Sequence, residues 1–155
     1  MQILKQHEGM LLIELLLALM VVSIVSSMTI AGLKRYLEIY MLNQYAMQVK
    51  ADITYCQEEA IRTHSVCLLQ WQRLRPAYQI LANGIVYRRN PPSFITYKYN
   101  YFNFPSSEIT YNYYGRTSTS GQIILTDSYG DIRNLVLYMQ SGQVSILPYI
   151  LQHGS

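Results

Sequence analysis

The sequence predicts an α+β chain: a long N-terminal helix, with a transmembrane half and an amphipathic half, packed on a C-terminal antiparallel β-sheet domain. Three observations carry that prediction. Met10 to Leu33 holds a single charged residue, Glu14. Leu33 to Arg62 contains neither Pro nor Gly and repeats its apolar residues at helical spacing. From Val66 onward the pattern changes to short alternating runs separated by turn residues. A length of 155 residues is that of one domain. Only 14% of the chain is Asp, Glu, Lys or Arg, against about 25% in an ordinary soluble domain. Half of it is hydrophobic, which excludes disorder over most of its length. A net charge of +3 is too small to name nucleic acid as a partner from bulk charge.

The first half of the helix is read from Leu15 to Leu33, an uncharged run closed by Lys34 and Arg35. About 20 helical residues span a hydrocarbon core roughly 30 Å thick. The run is too long for the apolar part of a secretory signal, and Ser26, Ser27, Ala31 and Gly32 make no clean small-x-small cleavage site. Lys5 on one side and Lys34, Arg35 and Lys50 on the other, taken alone, place the C-terminal part on the cytoplasmic side. Glu14 is the anomaly, because a carboxylate in a membrane span costs on the order of 2.5–3.5 kcal/mol on insertion scales and calls for a partner.

The second half of the helix follows from Ile39, Leu42, Ala46, Val49, Ile53, Cys56 and Ala60. Their alternating three- and four-residue spacings make one stripe. Glu38, Asp52, Gln57 and Glu59 lie among the polar residues between them. One helix from about Met10 to Arg62 would be roughly 80 Å long at about 1.5 Å per residue. Strands are predicted at 66–72, 77–81, 85–89, 94–104, 108–114, 122–126, 132–138 and 143–147. Asn83-Gly84 between the second and third is a strong hairpin signal. Pro91-Pro92, the 115–121 loop, Ser128-Tyr129-Gly130-Asp131 and Ser141-Gly142 supply the other breaks.

The head of the chain is the most specific motif. MQILKQHEG is a short polar leader ending in Gly9; Met10-Leu11-Leu12-Ile13-Glu14 and the apolar run follow. This resembles the type III signal of type IV prepilins and pseudopilins, in which a Gly precedes the cut and Glu is fifth in the mature chain. Met10 and Leu11 depart from the residues most common there but keep the apolar character. The segment KADITYCQEEAIRTHSV and the stretch from Tyr111 to Ile146 look like the corresponding parts of minor pseudopilins of the Gram-positive competence pilus, the ComGD-type subunit in particular. The GspH-like pseudopilins of type II secretion share the helix-plus-sheet plan.

The resemblance implies a three-part precursor: a leader over residues 1–9, a transmembrane or filament-core helix over 10–33, and an extracellular domain over 34–155. A prepilin peptidase would cut between Gly9 and Met10 and N-methylate Met10. Glu14 would pair with the new terminal amine of a neighbouring subunit, which offsets part of the cost of desolvating both charges. The implied partners are other major and minor pseudopilins, the peptidase/methyltransferase, the membrane and, indirectly, an assembly ATPase. The implied place is the cell membrane and then a surface filament. Its function would be that of a structural subunit needed for DNA uptake in transformation. A pseudopilin of a type II secretion-like system and a DNA-binding tip subunit are the alternatives. The implied extracellular domain contradicts the count of positive charges.

Little else suggests chemistry. No nucleophile motif, glycine-rich phosphate loop or metal-ligand spacing is present, so no enzyme activity, cofactor or metal is expected. Cys56 and Cys67 are read first as two small buried thiols and second as a disulfide, which exported chains can hold. Tyr97, Tyr99 and Tyr101 alternate along one predicted strand, so they share a face. With Arg88 and Arg89 they are candidates for clamping single-stranded DNA. The plainer reading of these tyrosines is a half-exposed sheet or a subunit contact.

Overall fold

In the computed structural model the described residues are 2–102, 107–139 and 141–147. The chain is a helix, α1 (Gln2–Thr63), followed by eight strands: β1 (Cys67–Trp71), β2 (Tyr78–Ala82), β3 (Ile85–Arg89), β4 (Thr96–Phe102), β5 (Glu108–Tyr111), β6 (Gly121–Thr126), β7 (Ile132–Leu137) and β8 (Val144–Leu147). The α+β class read from the sequence is the one observed. The strands form two antiparallel four-stranded sheets, ordered β3-β2-β1-β5 and β4-β6-β7-β8. Two compact units divide the chain, 1–37 and 38–155.

The helix begins at Gln2 rather than near Met10, so it also includes the leader. Nothing from Gln2 to Gly9 breaks it, since Pro is absent and the residues are mostly good helix formers. It ends in a Schellman turn: Ser65 N–H donates to Ala60 C=O at 3.3 Å and His64 N–H to Ile61 C=O at 3.4 Å. His64 takes the left-handed position that usually falls to Gly, with φ 52°.

In the second unit the apolar stripe of α1 is buried as its spacing requires. Leu42, Ala46, Val49, Ile53, Cys56 and Ala60 join one cluster with Leu69, Ile80 and Ile109 of the first sheet and Ile123, Leu125 and Leu135 of the second. Ile39, at the start of the stripe, is half-buried. The alternation in β1 and β2 places every second residue inward, Cys67, Leu69 and Trp71 from one strand and Tyr78, Ile80 and Ala82 from the other. Three carboxylates that the stripe assigns to the polar side, Glu38, Asp52 and Glu59, are buried as well.

Turn chemistry sets the strand ends. Asn83 and Gly84 have φ of 50° and 77°, the pair of positive values that a two-residue type I′ hairpin needs. β5 stops at Tyr111, not Tyr114, because the Asn112 side chain accepts from the N–H groups of Tyr114 and Arg116, both at 3.0 Å. Asp127 does the same in the β6–β7 turn, accepting from Tyr129 N–H at 3.0 Å and Asp131 N–H at 2.9 Å. Gly142 packs where no side chain fits: a Cβ there would lie 2.6 Å from Tyr111 Cε1 and 3.2 Å from Gly115 O. The predicted extension of β4 to Phe104 falls outside the described residues.

Candidate functional site

The first unit is a helix with its apolar side chains in the open. Leu12, Ile13, Leu15, Leu16, Leu17 and Leu19 are all exposed, and so are their successors through Val25. Ser23, Ser26 and Ser27 do not interrupt this surface, because their hydroxyls donate to carbonyls of the preceding turn at 2.7–2.8 Å. Among the described residues this is one helix long and apolar enough to cross a membrane. Glu14 is exposed near the N-terminal end of that surface, flanked by Ile13 and Leu15. Among the described residues no side chain pairs with it, so its carboxylate calls for a partner from outside the unit once water is removed. Gly9 and Met10 lie within α1, five and four residues before it, and the surroundings of both lie outside the described residues.

The second unit fastens its helix to the sheets with polar links at its buried carboxylates. Asp52 Oδ2 accepts from Tyr78 Oη at 2.6 Å and from Arg89 Nε at 3.0 Å. Burial, and then the bond to Asp52, hold the Tyr78 phenol far above its ordinary range. The same bond and the carboxylate charge raise the Arg89 guanidinium. Tyr45 Oη donates to Pro76 C=O. Glu59 accepts from Arg62 at 2.7 and 3.0 Å and from Asn83 Nδ2 at 2.9 Å, which ties the hairpin turn to the helix end. Gln57 Nε2 donates to Gly115 C=O at 2.7 Å and Ser141 C=O at 2.8 Å, so one amide holds two loops. Tyr111 Oη, fully buried, donates to Gly142 C=O at 2.6 Å.

Cys56 and Cys67 are joined in a disulfide with Cα atoms 5.5 Å apart. The reading as two buried thiols is therefore corrected. Both residues are buried, as that reading required, but the turn after Thr63 returns β1 alongside the helix end and brings the two together. Replacing both by Ala is expected to lower the stability of the sheet domain by about 2–5 kcal/mol, the usual cost of losing a native disulfide. Urea titration of the variant beside the oxidised protein checks it, and unchanged midpoints would count against a stabilising bond.

The candidates for a DNA clamp do not converge. Arg88 and Arg89 lie on β3, the edge of the first sheet, and Tyr97 on β4, the edge of the second. Arg89 is committed to Asp52. Tyr97 packs against the core and donates to Gln72 C=O at 3.1 Å, and burial raises its phenol well above the ordinary value. Arg88 is exposed. Tyr99 and Tyr101 have side chains outside the described residues. Sequence reasoning missed Asp52 and Gln57 as joints. The available signal was their place beside stripe residues Ile53 and Cys56, which puts them on the rim of the buried face rather than opposite it. Among the described residues no group of three or more His, Cys, Asp or Glu side chains is placed to hold a metal ion.

No family model and no curated protein matches the sequence. Two solved structures do, both of the type IV minor pilin FimU of Pseudomonas aeruginosa in different crystal forms. One superposes with a TM-score of 0.55 at 18% identity over 72% of this chain and 91% of that one. The other gives 0.52 at 17% identity over 68% and 92%. The long N-terminal helix packed on antiparallel sheets is thus the fold of a type IV pilin.

Proposed function

We propose that this chain is the precursor of a minor pilin, a structural subunit that assembles with other pilins into a filament anchored in the membrane. One observation carries the reading. An exposed, uncharged helix in a pilin-like fold bears a single carboxylate, Glu14, at the fifth position after Gly9. Residues 1–9 are the leader, Gly9–Met10 is the bond cut by a prepilin peptidase, and Met10 carries the N-methylated amine of the mature chain. Glu14 then neutralises the amine of a neighbour inside the apolar filament core. The sheet domain lies outside the cell, where the Cys56–Cys67 bond is stable.

Within that class we favour a competence pilus of the Gram-positive kind, in which the filament brings DNA to the uptake machinery. The support is the likeness of 47–66 and 111–146 to the ComGD-type subunit. Processing gives the direct test. Gly9→Val places a branched side chain at the bond the peptidase must approach, and uncut precursor is expected to accumulate in the membrane. Intact-mass measurement of the assembled wild-type subunit should begin at Met10. Residues 1–9 still attached in the filament would falsify the prepilin reading.

A further inference from the structure

The outer end of the first sheet holds a groove that the filament reading does not use. Two cavities meet there. One, of about 510 Å³, is lined by Gln70, Gln72, Gln79, Arg88 and Asn90. The other, of about 410 Å³, is lined by Leu74, Arg75, Pro91 and Pro92. They share Gln72, Ala77 and Asn90 as a common wall. The lining therefore has Arg88 in one cavity, Arg75 in the other and neutral amides on the shared wall; Arg89, also on the first cavity's lining, is neutralised by Asp52.

Its charges are unspent. Among the described residues neither the Arg88 nor the Arg75 guanidinium has a hydrogen-bond or ion-pair partner, and both residues are exposed. No carboxylate lines either cavity. Two acids adjoin the lining from behind and are already paired: Asp52 with Arg89 and Tyr78, and Glu108 with Gln70 Nε2 at 3.0 Å. Gln79 Nε2 donates to Gln70 Oε1 at 2.6 Å, which fixes the amide floor. The side-chain amides of Gln72 and Asn90, on the shared wall, have no partner among the described residues. Leu74, 93% exposed, and the two prolines give the Arg75 end an apolar shelf.

We propose that this groove binds a phosphodiester chain. Guanidinium groups match phosphate oxygens with paired N–H donors. Two of them separated by neutral amides and an apolar shelf suit a chain whose anions alternate with hydroxyl-bearing carbon units. A run of adjacent carboxylates offers no such alternation. Trp71 and Tyr78 border the groove but are buried at 4% and 3% exposure, so the site has no ring on which bases stack. Recognition is by phosphate spacing, and with no ring for bases the fitting chain is a polyol phosphate; a nucleic-acid strand is the competing outcome of the test. The proposal rests on the groove and is independent of Gly9 and Glu14.

The test is fluorescence anisotropy with the full chain in neutral detergent. The probes are a labelled single-stranded oligonucleotide of mixed sequence, a labelled glycerol-phosphate oligomer and labelled polyglutamate of equal charge. The glycerol-phosphate oligomer is expected to bind at low salt more tightly than the oligonucleotide and more tightly than polyglutamate. For the oligonucleotide, two phosphate contacts should contribute about 1.4 to the logarithmic salt slope. Arg75→Gln/Arg88→Gln should weaken binding about tenfold or more and remove that part of the slope. Arg116→Gln, a change to an exposed arginine on the β5–β6 loop, should leave affinity unaltered. The proposal is overturned if the glycerol-phosphate oligomer does not bind, if the oligonucleotide or polyglutamate binds as tightly, if wild-type binding is salt-independent, if the double variant keeps wild-type affinity, or if Arg116→Gln loses as much as the double variant.

Discussion

Glu14→Ala is expected to leave the membrane helix and the sheet domain intact and to abolish incorporation into the filament. Removing a charge from an apolar helix favours insertion. The sheet domain is unaffected because residues 38–155 form their own compact unit, which excludes Glu14. In the filament proposed above, the methylated amine of a neighbouring Met10 would face no carboxylate. Breaking a buried pair from one side costs about 3–5 kcal/mol, or two to three orders of magnitude in an assembly equilibrium. Co-purification of the variant with other pilins measures it, with cell levels and cleavage after Gly9 checked to be normal. Glu14→Gln should fail nearly as badly, since an amide keeps the shape and lacks the charge. Wild-type recovery of either variant would sink the pairing argument.

Alkaline unfolding is the second large effect. Tyr45, Tyr78, Tyr97 and Tyr111 all have phenols raised well above 10, with burial as the first cause in each. In the unfolded chain each ionises near 10. Below that pH both states keep the proton and stability is level. Above it only the unfolded chain loses protons, so stability falls as pH rises, by about 1.4 kcal/mol per pH unit for each group. Four groups together give about 4 kcal/mol between pH 10 and 11. Denaturant titrations across that interval, with tyrosinate absorbance followed in parallel, read both the loss and its cause. Tyr111→Phe should reduce the pH slope by about a quarter, although it also removes the bond to Gly142 C=O. A level stability curve to pH 11 would show that these phenols ionise freely in the folded protein.

Much of this architecture was legible because its causes are periodic. The three-and-four spacing from Leu42 to Ala60 needs only a sheet to cover it, and the sheets do. Asn83-Gly84 announces its turn because few other pairs tolerate two positive φ values. What periodicity does not carry is the fate of a charge on the rim of a stripe. Asp52 and Glu59 count as polar residues in one dimension. They are buried because Tyr78, Arg89 and Asn83, far away in sequence, turn toward them. The disulfide was ambiguous for a similar reason. A separation of eleven positions between two cysteines says nothing of whether a turn folds one back on the other, and that depends on the left-handed residue His64. The groove was half visible: Arg88 stands out, but the wall that joins its cavity to that of Arg75 follows from the pairing of β1 with β2 and β2 with β3.

Adjacent residues on α1 join it to the two sheets by different kinds of bond, and this has a mechanical consequence. Cys56 is covalently attached to β1, whereas Gln57 reaches the β5–β6 loop and the β7–β8 turn only through two hydrogen bonds. A load entering the domain along the helix would therefore divide unequally. The first sheet is anchored by a bond that thermal forces do not break, and the second is held by non-covalent contacts, the shared apolar core and hydrogen bonds such as Arg133 Nε to Asn43 Oδ1. Under tension the domain should part between the helix and the second sheet first, with the first sheet kept as a rigid collar on the helix end. Reducing the disulfide removes that ordering, and both sheets then face the pull on similar terms.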